Sequence, residues 1–329
     1  MPLLQPTIPP LPATLSFTGK TVIVTGATAG LGLEAALQLA QRDVSTLVLA
    51  VRKPSLGEST KAAILHDPIV RTRSTPPKIH IYELDLARPS SVASFARKIR
   101  EDLPELHILL LNAGMGGLAW VTTPETNFEQ MFQVNFLSNV LLAIQLLPLL
   151  RATAQKTASP SHLTFVGSRM TRRTSFISNT VPDSTGVYEF MNDPKKFSIS
   201  RYADSKTLVA MWVTEAAKRI PPSEVIINHV CPGMVKTNIN DAQPLYVRII
   251  VNIVLAIRAR TADVGARTFL AAINADEHSH GEFLADFDVE KVQFLQTPAG
   301  KKMQEKLWKE TTIEAVKHAA ESLQESGLD

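Results

Sequence analysis

The sequence predicts an α/β protein with a doubly wound parallel sheet in a single domain. Short runs of aliphatic and β-branched residues alternate with helix-length segments, as in repeated strand-helix-strand units. The predicted strands are 21–25, 46–51, 78–84, 107–111, 163–167, 225–230 and 282–285. Most of these runs are apolar on both faces, which requires helices on both sides of the sheet. Ligands of such sheets bind at the carboxyl ends of the strands.

The segments between the strands indicate the helical layers and the domain limits. Helices are predicted at 31–42, 90–102, 128–150 and 203–219, and one at 301–323 is expected to pack outside the domain or against another subunit. An extended Pro-rich tail at 1–18 precedes one domain at 19–329. Insertions near 169–201 and 236–262 are interpreted as substrate loops, because a long irregular stretch in a compact domain is usually functional or disordered.

Composition and charge exclude several classes of function. Of the 329 residues, 45% are hydrophobic and 20% are charged, which is typical of a soluble globular protein. The net charge of +3 is dispersed, so no nucleic-acid partner is expected. Cys231 is the only cysteine, which excludes an internal disulfide and favours a cytoplasmic location. His278 and His280 lack a zinc-ligand spacing, so no metal site is expected.

Two apolar stretches, 140–150 and 245–257, are shorter than the roughly 20 residues needed to cross a bilayer. The first is predicted to be a helix buried against the sheet, and no transmembrane segment is expected. The first residues lack the basic start and long apolar run of a signal peptide. Transient contact with a membrane surface is compatible with an apolar substrate.

A glycine-rich turn joins the first predicted strand to the first predicted helix. It reads Thr25-Gly26-Ala27-Thr28-Ala29-Gly30-Leu31-Gly32. Glycines allow positive φ and close approach of a pyrophosphate, and a helix N-terminus favours anions. With a strand before it and a helix after it, the turn predicts a Rossmann-type nucleotide site.

The end of the second predicted strand bears on which dinucleotide binds. In NAD-preferring folds an acidic residue near this position holds the ribose 2′-hydroxyl. Here Arg52 and Lys53 occupy it, and no carboxylate occurs before Glu58. NADP(H) is therefore favoured over NAD(H), the alternative being that the cations only cap a solvated loop. Asp85, after the third strand, is expected to accept from the adenine amino group or to cap the next helix.

Tyr202 and Lys206 stand one helical turn apart, so their side chains lie on one helix face. A phenol with an ordinary pKa near 10 is a poor base at neutral pH, and a neighbouring cation stabilises the phenolate. Lowering that pKa by about 3 units requires roughly 4 kcal/mol, which Lys206 and an oxidised nicotinamide are expected to supply together. The spacing alone is common on helices and becomes specific only in its context.

Several of these features occur together in one order along the chain. They are the turn from Thr25 to Gly32, Asp85, Asn112-Ala113-Gly114, Asn135, Ser168, Tyr202 with Lys206, and Pro232-Gly233-Met234-Val235-Lys236-Thr237. In this combination the chain resembles the short-chain dehydrogenase/reductase family from about Lys20 to Asp286. The end of the second strand and the segment through Trp308 resemble the retinol-dehydrogenase-like branch and its fungal relatives from secondary-metabolite pathways.

The resemblance implies catalytic roles for four residues. Tyr202 would protonate a carbonyl oxygen or deprotonate an alcohol, and Ser168 would orient that oxygen. Lys206 would hold the nicotinamide ribose and depress the phenol pKa, while Asn135 would fix a water that links Lys206 to solvent. Ser168 precedes Tyr202 by 34 positions (202 minus 168), longer than is usual in the family, which leaves Ser175 as an alternative. Ser168 is preferred because it directly follows an apolar strand.

The resemblance also implies a cofactor-binding set around Gly26, Gly30 and Gly32. Further contacts are expected from the backbone of Leu31 and from Asn112, Ala113, Gly114, Pro232, Val235 and Thr237, the last three as a clamp on the nicotinamide. The two asparagines and Ser168 have an alternative role as stabilisers of turns, helices or strand ends.

Apolar residues follow the expected clamp, where the family commonly places a mobile segment over the substrate. They are Met234, Ile239, Leu245, Tyr246, Ile249, Ile250 and Ile253. They favour a hydrophobic alcohol or ketone of polyketide, terpenoid, steroid-like or retinoid-like type, unless they form helix core. The predicted function is an NADP(H)-dependent oxidoreductase. The alternatives are a non-catalytic NADP(H)-binding sensor or scaffold and a sugar-nucleotide epimerase or dehydratase. A homo-oligomer is compatible with the sequence.

Overall fold

The computed structural model describes residues 5–235 and 259–328. In these ranges one sheet has the strand order β3-β2-β1-β4-β5-β6-β7-β8. Its strands are β1 Thr21–Thr25, β2 Thr46–Val51, β3 Lys78–Glu83, β4 Ile108–Leu111, β5 Ser161–Val166, β6 Val225–Cys231, β7 Phe283–Ala285 and β8 Asp288–Glu290. Strands β1 to β7 pair in parallel, and β8 returns antiparallel to β7. The predicted doubly wound parallel sheet is confirmed.

Helices cover both faces of the sheet. They are α1 Gly30–Gln41, α2 Pro54–His66, α3 Pro68–Arg71, α4 Pro89–Asp102, α5 Ser138–Thr157, α6 Val187–Met191, α7 Arg201–Ala217, α8 Ala262–Ala272 and α9 Pro298–Ser326. One hydrophobic cluster joins α4, α5, α7 and α9 to the sheet, and another joins α1 and α8 to its opposite face. The order β3-β2-β1-β4 places the topological switch between β1 and β4, where such sheets bind ligands.

The central strand β1 shows why the sheet needs both layers. Val22, Ile23 and Val24 have no exposed surface. Ile23 belongs to the cluster on the α5 side, whereas Val22 and Val24 belong to the α1 side. Each such side chain contributes roughly 1.5–3 kcal/mol by leaving water. Successive residues of a strand point to opposite faces, so this uninterrupted apolar run forms a strand buried on both sides.

The apolar helix predicted to be buried packs within the core. A π-helical turn, Phe132–Leu137, runs directly into α5. Residues Phe132–Thr157 are long and apolar enough to span a membrane, but 83% of the most apolar window is buried inside the protein. This helix is therefore the core helix that the sequence predicts. The second apolar stretch, 245–257, lies outside the described residues.

Three regions differ from the prediction. The segment 169–200 is not irregular, because it contains 3-10 turns at Arg169–Arg173, Ser175–Ile177 and Pro194–Lys196 as well as α6. The helix α2 and the strand β8 were not predicted, since α2 has a mixed polar pattern and β8 has three residues. Residues 5–18 contain no helix or strand, yet the side chains of Ile8, Leu11 and Phe17 are buried against the domain.

The final helix packs on the outside of the domain. It contacts α5 and α7, and Met303 and Leu307 are buried there. The Trp308 ring stacks on Trp212 of α7 at 6.2 Å between centres. Ile313 remains 64% exposed, so part of its apolar surface is free of contacts with the described residues. Association with another subunit stays a prediction.

Candidate active site

The glycine turn leaves β1 and enters α1 with its backbone amides available. Gly26 and Gly30 have φ of +68° and +55°, a region that residues with a Cβ rarely adopt. A Cβ on Gly32 would lie 2.3 Å from the Gly26 carbonyl oxygen. Ala29, the N-cap of α1, provides no side-chain cap, and the first turn holds no acidic residue. The turn therefore fits an anionic pyrophosphate at the helix N-terminus.

Asn112 ties the end of β4 to this turn. Its amide Nδ2 donates to the Thr25 carbonyl oxygen at 2.8 Å, and the Ala113 N–H donates to Thr25 Oγ1 at 2.9 Å. The side chain of Asn112 thus stabilises the glycine turn, which is the alternative role considered for it. Asn112 and Ala113 shape the cofactor site through the path of the backbone.

The second-strand cations lie where the sequence predicts them. Arg52 and Lys53 directly follow β2, and both are exposed. Lys53 is the N-cap residue of α2 but provides no side-chain cap. Neither cation has an ion pair with another described residue, and both are therefore accessible to an anionic ligand.

Asp85 has a local partner of its own. Its Oδ1 accepts the Ala87 N–H at 3.0 Å, and its own N–H donates to Ser91 Oγ at 3.0 Å. Asp85 therefore organises the turn that leads into α4, but it does not cap this helix, whose N-cap residue is Arg88 and has no side-chain cap. It also lines a cavity of about 370 Å³, so its role in adenine binding stays a prediction.

Ser168, Tyr202 and Lys206 come together at the carboxyl end of β5. The Ser168 hydroxyl is hydrogen-bonded to the Tyr202 phenol, and Ser168 Oγ accepts the Met170 N–H at 3.1 Å. Lys206 Nζ donates to the Val166 carbonyl oxygen at 2.7 Å and lies 5.9 Å from the centre of the Tyr202 ring. The serine, phenol and ammonium predicted from the sequence thus form one cluster.

The pKa values of Tyr202 and Lys206 in this cluster differ from the expectation. Burial, followed by the nearby Cys231, raises the pKa of Tyr202 to about 12, against the hydrogen bond from Ser168. Burial also lowers the pKa of Lys206 to about 8. The expected lowering of the phenol pKa by Lys206 is therefore wrong for the protein's own side chains, because desolvation of the phenolate outweighs the effect of the ammonium 5.9 Å from the ring centre.

Both ends of the Asn135 side-chain amide are hydrogen-bonded to protein groups. Its Oδ1 accepts the Met115 N–H at 2.7 Å, and its Nδ2 donates to the Met115 carbonyl at 2.8 Å and to Ser205 Oγ at 3.0 Å. A Cβ on Gly114 would lie 3.1 Å from Asn135 Oδ1 and 3.5 Å from Lys206 Nζ. Asn135 therefore fixes the loop after β4 beside Lys206. The expected water link from this residue stays a prediction.

Ser175, the alternative serine, faces a different partner. Its Oγ donates to Asp204 Oδ2 at 2.8 Å, and its N–H donates to Asp204 Oδ1 at 2.7 Å. Thr174 Oγ1 donates to the same carboxylate at 2.8 Å. Ser175 thus anchors the 3-10 turn to α7, whereas Ser168 contacts the phenol. The geometry favours Ser168 as the serine of the site.

Of the residues expected to clamp the nicotinamide, Pro232 and Val235 lie in the part of the chain that the structure describes. Pro232 directly follows β6, and Gly233 has a φ of +79°. A Cβ on Gly265 in α8 would lie 2.7 Å from Leu31 Cδ2 and 2.8 Å from Val235 Cγ2. The structure thus brings Leu31 of the glycine turn and Val235 of the clamp to the same glycine. Thr237 and the apolar residues 239–253 lie outside the described residues.

Comparison with known proteins decides the family. The short chain dehydrogenase family profile matches residues 20–174. A short chain dehydrogenase of Penicillium terrestre, macD, is 42% identical over 316 residues, which cover 95% of this chain and 96% of that protein. The short-chain dehydrogenase/reductase tropG of Talaromyces stipitatus is 41% identical and covers 94% and 95% of the two chains. The chain belongs to the short-chain dehydrogenase/reductase family.

Solved structures agree on the fold. An NADPH-bound carbonyl reductase from chicken fatty liver has a TM-score of 0.61 at 20% identity, covering 84% of this chain and 96% of that one. The L-sorbose reductase of Gluconobacter frateurii, solved with NADPH and L-sorbose, has a TM-score of 0.60 at 16% identity, with coverage of 83% and 96%. Membership of the short-chain dehydrogenase/reductase family implies oxidoreductase activity with a nicotinamide cofactor. The likeness to the retinol-dehydrogenase-like branch stays a prediction.

Two residues beside the catalytic cluster of this dehydrogenase/reductase were missed from the sequence. Cys231 Sγ accepts the N–H of Arg169 at 3.3 Å, and burial raises the pKa of its thiol. Burial and the nearby Lys206 lower the pKa of His229 to about 3, so the imidazole is neutral. Both lie in the last three residues of β6, and only their position before Pro232 signals that they border the site. Together these two neutral, buried side chains form part of the desolvated surroundings of Tyr202 and Lys206.

Proposed function

We propose that this protein is an NADP(H)-dependent oxidoreductase that interconverts a secondary alcohol and a ketone on a hydrophobic small molecule. One observation carries the proposal. The hydrogen-bonded pair of Ser168 and Tyr202, with Lys206 beside it, lies at the same edge of the sheet as the glycine turn after β1. A carbonyl group placed against this pair is also within reach of a cofactor seated on that turn.

The residues present fit a nicotinamide dinucleotide. The tight approach of Gly32 to Gly26 and the uncapped start of α1 form a cradle for the pyrophosphate. Gly114 leaves room beside Lys206, where the ribose would meet the ammonium. When bound, the nicotinamide supplies or takes up the hydride. The protein contributes position, charge and the proton.

In the reducing direction, Tyr202 acts as the general acid. Its raised pKa keeps the phenol protonated at neutral pH, so its proton is available to the carbonyl oxygen of the substrate. Ser168 donates a hydrogen bond to the same oxygen and holds it in place. The substrate carbonyl becomes a hydroxyl, and the phenolate left behind is stabilised by the nearby Lys206 ammonium.

The oxidising direction reverses this proton transfer and requires the phenolate. The protein's own groups disfavour it, since they hold the pKa of Tyr202 at about 12. The positive charge of an oxidised nicotinamide would add to that of Lys206 and lower this pKa. We therefore expect alcohol oxidation to need higher pH than ketone reduction.

The preference for NADP(H) follows from the end of β2. Arg52 and Lys53 are exposed and lack ion pairs with the described part of the chain, and the residues before them, Ala50 and Val51, are apolar. A ribose 2′-phosphate would meet two cations there. The carbonyl reductase from chicken fatty liver, which shares the fold, holds NADPH.

A hydrophobic substrate is supported by apolar side chains on the segment that follows Ser168. Met170 is 40% exposed, Ile177 58% and Ile199 81%. Exposed apolar surface beside a catalytic cluster suits an apolar ligand. Since macD and tropG are both fungal dehydrogenases, we place the substrate among polyketide or terpenoid secondary metabolites. The free thiol of Cys231 suits a cytoplasmic enzyme.

A cofactor-consumption screen tests the proposal. Purified protein is mixed with NADPH or NADH and a panel of lipophilic ketones, and absorbance at the reduced-nicotinamide band is followed. We expect consumption with NADPH to exceed that with NADH by at least about tenfold, as one charge-assisted contact to the 2′-phosphate implies. Tight NADPH binding without turnover of any ketone would instead favour a sensor, and equal use of NADH would overturn the cofactor preference.

A further inference from the structure

Asp286 lies in an unusual turn close to the catalytic cluster. It and Phe287 form the two-residue loop between β7 and β8, with φ of +56° and +75°. Two consecutive positive φ values are typical of a type I′ hairpin turn, where Asn, Asp and Gly are favoured and Phe is not. The Asp286 side chain is only 6% exposed. A buried carboxylate in such a turn requires cationic partners.

One partner of Asp286 is next to the catalytic serine. Arg169, the residue after Ser168, forms ion pairs with Asp286 and with Glu290 of β8. The backbone N–H of Arg169 also donates to Cys231 Sγ at 3.3 Å. The turn that carries Ser168 is therefore anchored through Arg169 to the β7–β8 hairpin.

The other partner holds the expected clamp. Arg260 Nη2 lies 2.6 Å from Asp286 Oδ1, a close ion pair in which this oxygen accepts no well-aligned hydrogen bond. Arg260 Nη1 donates to the Pro232 carbonyl at 3.1 Å, and its backbone N–H donates to the Met234 carbonyl at 2.9 Å. The Arg260 side chain is 7% exposed. Asp286 thus joins the serine turn to the clamp through two guanidinium groups.

The N-terminal segment also contacts the clamp and Arg260, through Gln5 and Pro6. Gln5 Oε1 accepts the Met234 N–H at 2.6 Å, and Gln5 Nε2 donates to the Met234 carbonyl at 2.8 Å. The Pro6 carbonyl accepts a hydrogen bond from Arg260 Nη2 at 2.6 Å. A Cβ on Gly233 would lie 2.3 Å from Gln5 Oε1 and 2.6 Å from Arg260 Nη1. The side-chain amide of Gln5 therefore pairs with the clamp backbone as a neighbouring strand would.

We propose that Asp286, Arg260 and Gln5 are positioning residues that fix the clamp Pro232–Gly233–Met234 relative to Ser168, and thereby the nicotinamide end of the cofactor relative to Tyr202. This inference rests on the proposed function. Five segments meet at these three side chains, namely 5–6, the turn at 169, the clamp 232–234, the segment at 260 and the β7–β8 hairpin, although none of the three side chains belongs to the catalytic cluster. A small displacement of a reacting group reduces hydride transfer by about 100-fold, so rigid support of the clamp has a large kinetic effect.

Two substitutions distinguish a role in positioning the clamp from a role in folding alone. Asp286→Asn keeps the volume and tolerates positive φ, but removes the charge that both guanidinium groups face. Gln5→Ala removes both hydrogen bonds to Met234 at the edge of the domain, where folding depends on it least. Thr7→Ala is the matched control, because Thr7 is exposed and has no hydrogen bond to the described residues.

Binding of two ligands to each variant provides the first readout. The nicotinamide of NADPH would meet the clamp, whereas 2′-phospho-ADP-ribose lacks only the nicotinamide and keeps the groups expected at the glycine turn, at Arg52 and Lys53 and beside Lys206. We expect Gln5→Ala and Asp286→Asn to weaken NADPH binding about 5- to 30-fold, as the loss of one or two hydrogen bonds implies, with 2′-phospho-ADP-ribose within twofold of wild type. Equal weakening of both ligands, or of neither, would overturn the inference.

Hydrogen exchange on the protein alone provides a second readout that does not depend on the cofactor. The Met234 N–H is protected in wild type through Gln5, so Gln5→Ala should speed exchange in peptides covering 231–235 at least tenfold, and Thr7→Ala should not. Unchanged exchange would contradict the proposal that Gln5 holds the backbone of Met234. Wild-type protein that binds neither NADPH nor 2′-phospho-ADP-ribose would instead refute the proposed function, and the exchange result then shows whether Gln5 holds the clamp.

Discussion

The Ser168 hydroxyl is hydrogen-bonded to the Tyr202 phenol, which joins the end of β5 to the first turn of α7. This contact identifies the serine of the site despite the 34 positions between the two residues (202 minus 168). The insertion folds away as short helices, so the length of the connecting chain does not separate the two side chains.

Ser168→Ala and Ser175→Ala should therefore have opposite signatures. Removal of the Ser168 hydroxyl removes a group that orients the reacting oxygen, so kcat should fall about 10²-fold or more with little change in Tm. Removal of the Ser175 hydroxyl takes one donor from the buried Asp204, so stability should fall by about 1–3 kcal/mol with kcat largely retained. Steady-state kinetics and thermal unfolding of both variants check this. A large loss of kcat confined to Ser175→Ala would reassign the serine.

Lys206 should destabilise the fold in a pH-dependent way. The residue is 4% exposed, and its pKa is lowered to about 8 from an ordinary value of 10.5. Between these pH values the unfolded chain holds a proton that the folded protein lacks, so the unfolding free energy of wild type rises with pH. Below pH 8 both states are protonated, and the full cost of the buried ammonium remains.

Lys206→Met provides the measurement. The free energy of unfolding of wild type minus that of the variant should increase by up to about 3 kcal/mol as pH rises from 8 to 10.5, since one pKa unit corresponds to about 1.4 kcal/mol. The Val166 carbonyl loses its donor in the variant, but this cost does not vary with pH. Denaturant unfolding at several pH values checks the slope. A difference that is flat across this window would contradict the lowered pKa.

Arg52 and Lys53 should control the choice of cofactor. The double variant Arg52→Ala/Lys53→Ala should raise KM for NADPH about 10- to 100-fold and leave KM for NADH within about threefold, because only NADPH carries the 2′-phosphate. Arg71, an exposed cation at the end of α3, provides the control, and Arg71→Ala should change neither KM. If both KM values rise together, the two cations serve the fold or a shared part of the cofactor.

Gly32→Ala should remove cofactor binding. The added Cβ would lie 2.3 Å from the Gly26 carbonyl and 2.4 Å from Asn112 Nδ2, so the turn has to open. Gly117→Ala is the control, since its nearest neighbour would be the flexible end of Met131 at 3.8 Å. Fluorescence titration with NADPH should show at least about 100-fold weaker binding for Gly32→Ala only. Unchanged affinity for NADPH would contradict the assignment of the pyrophosphate to this turn.

Much of the fold could be predicted because apolar periodicity fixes strands buried on both faces. The limits of β1 and β2 match the prediction, since polar residues at either end interrupt uniformly apolar runs. The strand β8 has the sequence DVE with exposed residues, and it exists only because Phe283, Leu284 and Ala285 of β7 offer an edge for pairing. Such a strand depends on tertiary contacts that no local pattern encodes.

The residues of the catalytic cluster could be predicted from sequence motifs, whereas their electrostatics and supporting contacts could not. Tyr202 and Lys206 are one helical turn apart, and Ser168 ends a strand, so their meeting follows from the topology. The pKa of Tyr202 was not predictable, because it depends on burial by groups such as Cys231. The contacts of Asp286 with Arg169 and Arg260 join remote segments, and only the folded chain shows that they lie together.

The most direct test of the central claim is single-turnover hydride transfer by Tyr202→Phe, measured alongside NADPH affinity. The substitution removes only the phenolic oxygen, so we expect NADPH to bind within about threefold of wild type while hydride transfer to a ketone falls by about 10²- to 10⁴-fold. Hydride transfer at close to the wild-type rate would contradict the assignment of Tyr202 as the catalytic acid.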